Sequence, residues 1–267
     1  ISPEFVDLCG DFFKKLADIA PTYIILGNHD GNLKNSSRQD ALTPITKALE
    51  HPDLFLLKKS GEVLLNDNFT FNVLSIFDDD NWVVPTDDDK INIALYHGSI
   101  SNCKTDTGWV MEHGENDISI FNRFDYAFLG DIHKTNQVLD KEGRIRYCGS
   151  TVQQNHGETN DKGFLLWEIE SKKKFTVEHH ILENPKPFVS VYLTPKGKIP
   201  KKTFVKPGAR LRLVSENNLA LDVVRRAVDV AKHRFKPEAT TYISRSSGER
   251  GSVENITKNL IKEDLRD

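Results

Sequence analysis

Six residues in the first half of the sequence could share one piece of chemistry. Asn28, His29 and Asp30 follow one another behind Gly27, His97 stands just before Gly98, and Asp131 and His133 follow Gly130. An amide oxygen, imidazoles and carboxylates without a thiolate form a hard-to-borderline donor set, suited to Mn²⁺, Fe²⁺, Zn²⁺ or Mg²⁺ rather than to a Cys-bound structural zinc. A lone histidine at a strand end is more often a structural hydrogen-bonder. The recurrence of such donors at several glycine-flanked strand ends points instead to a metal site.

The elements that must position these residues are short apolar runs. Residues 22–26, 91–96 and 126–129 read as strands, each ending at one donor group, and the nearly unbroken apolar character of 22–26 predicts a strand buried on both faces. In open α/β sheets the carboxyl ends of strands are where loops converge on a ligand, so the three ends are expected to meet. Phe5, Leu8, Phe12, Phe13, Leu16 and Ile19 recur at spacings of three and four, which predicts a helix packed on the sheet by that face. A second helix is expected over 41–49, with further strands over 54–57, 62–65, 69–76, 144–150 and 163–169. The Asp-rich stretch 78–90 lacks the EF-hand spacing and its central glycine, and reads as a solvated acidic loop rather than a cation site.

Composition sets the limits. With 38% hydrophobic and 28% charged residues and a net charge of -3, the 267-residue chain has the apolar material for a core and is neither collagen-like nor disordered throughout. No run approaches the ~18 apolar residues of a membrane helix, and no leader-like segment opens the sequence. Three scattered cysteines, Cys9, Cys103 and Cys148, suggest neither a disulfide framework nor a zinc knuckle, so a reducing cytoplasm, or the host cytoplasm for a phage protein, is expected. The charge is uneven. From Pro185 onward there are 18 Lys plus Arg against 9 Asp plus Glu, while residues 1–184 hold 18 basic against 30 acidic. We therefore expect two domains: 1–184 carrying the cation-binding residues, and 185–267 as a smaller basic α+β module that touches an anionic polymer.

These residues carry a family resemblance. Gly27-Asn28-His29-Asp30, the isolated His97-Gly98 and Gly130-Asp131-Ile132-His133 resemble the later motifs of the calcineurin-like metallophosphoesterases. The continuation through Lys134, then Ile145-Arg146-Tyr147-Cys148-Gly149-Ser150 and Lys162-Gly163-Phe164, is similar to SbcD-type DNA exonucleases, the nuclease subunits of recombination and repair complexes. The resemblance implies a layered α/β/β/α sandwich with a C-terminal capping module and two divalent metal ions, Mn²⁺ or Mg²⁺. It places Asn28, His97 and Asp131 on one ion and His133 on the other. It makes His29 the group that faces the scissile phosphate and either stabilises the transition state or protonates the leaving alkoxide, with Asp30 orienting its ring. Two ions about 3.5 to 4 Å apart would clamp the attacking and leaving oxygens and supply hydroxide near neutral pH. The family usually has His where this chain has Asp131, and the anionic oxygen is expected to favour harder cations. The family's first two motifs, an Asp-x-His and a Gly-Asp, are expected upstream of Ile1. The sequence therefore reads as an N-terminally incomplete record, nearly inactive alone.

Three functions follow from this reading. The first is a metal-dependent DNA exonuclease or endonuclease whose basic module contacts the phosphate backbone through Arg210, Arg212, Arg225, Arg226, Lys232 and Arg234, with an SbcC-type ATPase partner by resemblance and homodimerisation open. The others are a phosphomonoesterase or cyclic-nucleotide phosphodiesterase on the same scaffold, and a non-catalytic DNA-binding assembly subunit. Trp109, in a loop expected near the site, is read as a packing residue, with stacking on a base as the alternative.

Overall fold

The computed structural model describes residues 2–35 and 37–245; the remainder of the basic module, from residue 246, lies outside the described residues. Among the described residues the architecture is mixed α/β, with three α-helices and a central six-stranded mixed sheet. In chain order the elements are α1 (Pro3–Ala17), β1 (Thr22–Ile25), α2 (Leu42–Leu49), β2 (Leu54–Leu57), β3 (Gly61–Leu64), β4 (Phe69–Leu74), β5 (Ile91–His97), β6 (Cys103–Lys104), β7 (Val110–Met111) and β8 (Tyr126–Gly130). They continue with β9 (Gln137–Val138), β10 (Ile145–Tyr147), β11 (Gly163–Ile169), β12 (Phe175–Ile181), β13 (Phe188–Tyr192), β14 (Arg210–Ser215), α3 (Leu221–Phe235) and β15 (Ala239–Ser244). No helix among the described residues is long and apolar enough to cross a membrane.

The chain forms two compact units, 1–151 with 163–181, and 152–162 with 182–267. In the first, the sheet order is β3-β4-β5-β8-β10-β9, with β4, β5, β8 and β10 parallel and the flanking β3 and β9 antiparallel. Residue alternation puts Ala94, Tyr96, Ala127, Leu129 and Tyr147 into one core and Val73, Ile93, Leu95 and Tyr126 into another. The second core is closed by Trp167, Ile169 and Phe175 from the β11–β12 hairpin and by Ile25 and Leu57 from β1 and β2. Cover on both faces is why β5 reads as a continuous apolar run. It also fixes the register, since a one-residue slip would exchange the two cores.

Two expectations about the N-terminal elements are corrected. Every residue of β1 is partly exposed, because β1 pairs only with β2, in a two-stranded parallel sheet separate from the central one. The helix forms as expected, capped by the Ser2 side chain and opened by Pro3. Of its predicted packing face, Phe13 alone turns inward. Phe5, Leu8, Phe12 and Ile19 are 44%, 67%, 53% and 83% exposed, and it is Cys9, Phe13 and Ala17 that turn inward. The helix is thus apolar on two sides, and spacing alone could not tell which side meets α2, β1 and β2.

In the second unit β13, β14 and β15 pair in parallel, and α3 is the crossover between β14 and β15. That is an α/β arrangement, not the α+β one expected from the sequence. Val191, Leu193, Leu211 and Leu213 pack with Ala227, Ala231 and Phe235 of α3 to form its core.

These packing assignments separate two substitutions of similar chemistry. Phe12→Lys, on the exposed side of α1, is expected to move the urea-unfolding free energy by less than about 0.5 kcal/mol. Phe121→Ala removes a ring that is 1% exposed in the first core and is expected to lose about 3–5 kcal/mol in the same measurement.

Candidate functional site

The site is built by backbone contact around one imidazole. His97 ends β5, and its ring lies against the chain at Gly27 and again at Gly130. A Cβ at Gly27 would stand 2.8 Å from His97 Cε1, and one at Gly130 would stand 2.8 Å from His97 Nδ1. Any side chain at either glycine would have to displace the ring. The glycines that precede Asn28 and Asp131 are therefore steric necessities, and they bring the ends of β1, β5 and β8 to one place.

There the donor atoms converge. His97 Nε2 is 3.3 Å from Asn28 Oδ1 and 3.7 Å from Asp131 Oδ1, and Asn28 Nδ2 donates to Asp131 Oδ1 at 3.4 Å. Ligands about 2.1 Å from one cation stand about 3.0–3.4 Å apart; the His97–Asn28 Oδ1 pair meets that spacing, Asp131 stands slightly farther off, and Asn28 turns its amide nitrogen to Asp131, so the three could hold a divalent ion after a small shift of the carboxylate. Burial holds the His97 imidazole below its usual range, against the opposing pull of Asp131, Asp30 and Glu115. A neutral ring is what a metal ligand requires. Among the described residues no three His, Cys, Asp or Glu side chains gather on one point; the convergent trio includes the amide of Asn28. His133 lies two residues beyond Asp131 on the same strand-end loop, and its carbonyl accepts the Ser150 N–H at 3.4 Å. Asp131 itself has φ of 89°, a left-handed backbone that Asp tolerates better than most residues.

The loop after β1 closes on itself. Asp30 Oδ2 accepts the Gly27 N–H at 2.7 Å, and Asp30 N–H donates to Gly27 O at 3.0 Å. The resemblance implied that Asp30 orients the His29 ring; in the structure its carboxylate instead ties the turn that presents Asn28 and His29. His29 is exposed and lines a cavity of about 560 Å³ with Asn28, Asp30, Lys34, Arg38 and Asp40. Asp40 caps α2 by accepting the Leu42 and Thr43 N–H groups, and it pairs with Lys58 at 2.6 Å. Burial would raise its carboxyl, but the bonds from Lys58 and Thr43 outweigh that and hold it at about 2.

Sequence reasoning missed the supports on the other side of His97. The buried Tyr147 hydroxyl accepts the Ile100 N–H at 2.9 Å and donates to Gly98 O at 2.8 Å, pinning the chain that leaves His97. Glu115 accepts the Ser99 N–H at 3.3 Å. Burial pushes the neighbouring Tyr96 hydroxyl up to about 12, and it accepts from Asn116 at 2.8 Å. Tyr147 stood in a recognised motif, but nothing around Glu115 marked it in the sequence.

The basic residues expected to contact phosphate all fall in the second unit and are unequal. Arg210 pairs with Glu238 at 3.2 Å, Arg226 pairs with Asp222 at 2.6 Å, and Arg234 donates to the carbonyls of Lys201 and Thr203. Arg225 and Lys232 are exposed on α3. Arg212 differs, with its Nε buried and without a hydrogen-bond partner. Burial, helped by the Arg212 charge, lowers the nearby His156 to about 4.

No protein-family model matches the chain. It is 38% identical over 229 residues to "Uncharacterized protein R555" of Acanthamoeba polyphaga mimivirus, a match that covers 81% of this chain and 16% of that protein. It is 26% identical over 174 residues to "Putative phosphoesterase 244L" of Invertebrate iridescent virus 6, covering 58% of this chain and 54% of that protein. The chain thus spans a small part of the first and about half of the second. Its similarity to a viral protein named as a phosphoesterase is distant.

The Asp40 cluster makes a test of acid stability. Its folded pKa of about 2 lies below the ordinary carboxylate value of 3.8, so its contribution is complete above about pH 4 and is lost as pH falls through about 2. Asp40→Asn is expected to cost about 2 kcal/mol at pH 7 and to flatten the fall in stability between about pH 4 and pH 2, followed by urea midpoints.

Proposed function

We propose that the chain belongs to a metal-dependent phosphodiesterase that acts on DNA, an exonuclease or endonuclease built on a layered metallophosphoesterase-like sandwich. The observation that carries the reading is the convergence of Asn28, His97 and Asp131 around the two glycine contacts, beside an exposed His29. The distant likeness to a viral protein named as a phosphoesterase supports the hydrolase class.

In this reading Asn28, His97 and Asp131 hold one divalent cation and His133 a second, Mn²⁺ or Mg²⁺. Bound there, such ions polarise the phosphoryl group as Lewis acids and make water acidic enough to attack near neutral pH. His29 donates to the phosphoryl oxygens or protonates the leaving alkoxide, its exposed ring opening into the cavity. Asp30 keeps it there by tying the turn rather than by touching the ring. In the second unit Arg210, Arg212, Arg225, Arg226, Lys232 and Arg234 are the proposed phosphate contacts, and Arg212 leads them because its buried Nε has no hydrogen-bond partner within the fold. An SbcC-type ATPase partner and a homodimer belong to the same proposal.

The test uses the complete gene product with end-labelled duplex DNA and a chromogenic phosphodiester. Cleavage of both is expected to vanish in EDTA and return with Mn²⁺, and His29→Ala is expected to lower kcat by about 10²- to 10⁴-fold. Arg212→Ala is expected to reduce the salt dependence of DNA binding by about one unit of log-log slope. Turnover of monoesters alone would favour a phosphomonoesterase, and DNA binding without cleavage would favour an assembly subunit.

A further inference from the structure

The fold accommodates two of its three tryptophans. Trp82 sits edge-on to Tyr96 at 5.7 Å and donates its Nε1–H to Ser75 O at 2.9 Å, and Trp167 packs among Tyr126, Phe128 and Phe175. Trp109 is 60% exposed. Leaving most of an indole in water forgoes a large apolar stabilisation, so its position calls for a cause beyond packing.

The segment that carries it, 105–109, is a loop as expected, and it forms the tip of a short hairpin. Its strands, β6 and β7, pair Cys103 with Met111 and Lys104 with Val110, and Cys103 is fully buried with Met111 packed beside it in the first core. At the tip, Thr105 N–H donates to Trp109 O at 2.9 Å, Gly108 N–H donates to Thr105 O at 3.0 Å, and the Thr105 and Thr107 hydroxyls bond at 2.9 Å. The indole is therefore mounted on a fixed backbone.

That backbone is fastened to both segments that supply the proposed ligands. The hairpin grows directly out of the His97–Ile100 chain held by Tyr147. Its first strand is bolted to β9, downstream of Asp131 and His133: Lys104 N–H donates to Gln137 Oε1 at 2.6 Å, and Gln137 Nε2 donates to Lys104 O at 2.9 Å. Lys104 is exposed on the same hairpin, and Asp106, the one acid of the tip, is not without a partner.

We propose that Trp109 is a stacking platform for an unpaired nucleobase of the substrate. This rests on the phosphodiesterase reading above and deepens it: the substrate presents a single-stranded or frayed base rather than a bare backbone. A rigid, exposed aromatic face suits a nucleotide because every base has a π face to stack on it.

Binding in EDTA tests it, so that no strand is cut. The full chain is titrated into a fluorescein-labelled single-stranded oligodeoxynucleotide and, separately, into an abasic oligomer of the same length, with anisotropy as the readout. Trp109→Ala is expected to weaken binding of the base-bearing strand by roughly tenfold to a hundredfold and to leave the abasic strand unchanged, while Trp109→Phe retains most of the affinity. Equal losses on both strands, or none on either, would overturn the platform while leaving the nucleic-acid reading intact. Failure of the unaltered chain to bind either strand would overturn both. A Trp109→Ala change seen only in the sedimentation of the chain would assign the indole to a protein contact and overturn the platform as well.

Discussion

The first unit depends on a close approach that no side chain could survive. The His97 ring touches the backbone at Gly27 and Gly130, and three strand ends that are far apart in sequence are thereby drawn within bonding distance of one another. Everything polar at the site is arranged around this contact. Asp30 ties the turn on one side, Tyr147 and Glu115 hold the exit on the other, and Asp131 accepts an unusual backbone angle to reach the same point. The imidazole is fixed by carbon and backbone contacts first, and burial then favours its neutral form.

Much of this was legible in the sequence because it is periodic. The runs at 91–96 and 126–129 could be read as strands, since burial on both faces leaves them largely apolar, and Gly98 and Gly130 marked where those strands ended. Convergence at the carboxyl ends followed from sheet geometry. The supports around His97 were not legible. Glu115 acts through a loop that has no repeating pattern, and the Tyr147 hydroxyl does its work across the sheet, between groups remote in the chain.

Other differences have particular causes. The hairpin of β6 and β7 has two residues in each strand, too few for any alternation to show. In β12, Phe175, Val177 and Ile181 do alternate, but His179 breaks the apolar row and obscured a full-length partner for β11. The first helix was identified correctly and oriented wrongly, because a helix apolar on two sides gives the same spacing whichever side is covered. The parallel pairing of β13 with β14 depends on how the connecting 193–209 chain runs, and composition does not encode that.

The backbone at Asp131 narrows what this position can become. At φ of 89° a β-branched residue is sterically excluded, and the tolerated alphabet shrinks to Gly, Asn, Asp and His. Of these four, only Asp brings a full negative charge. A change of one letter at this codon would thus switch the site's electrostatics with little change of its shape.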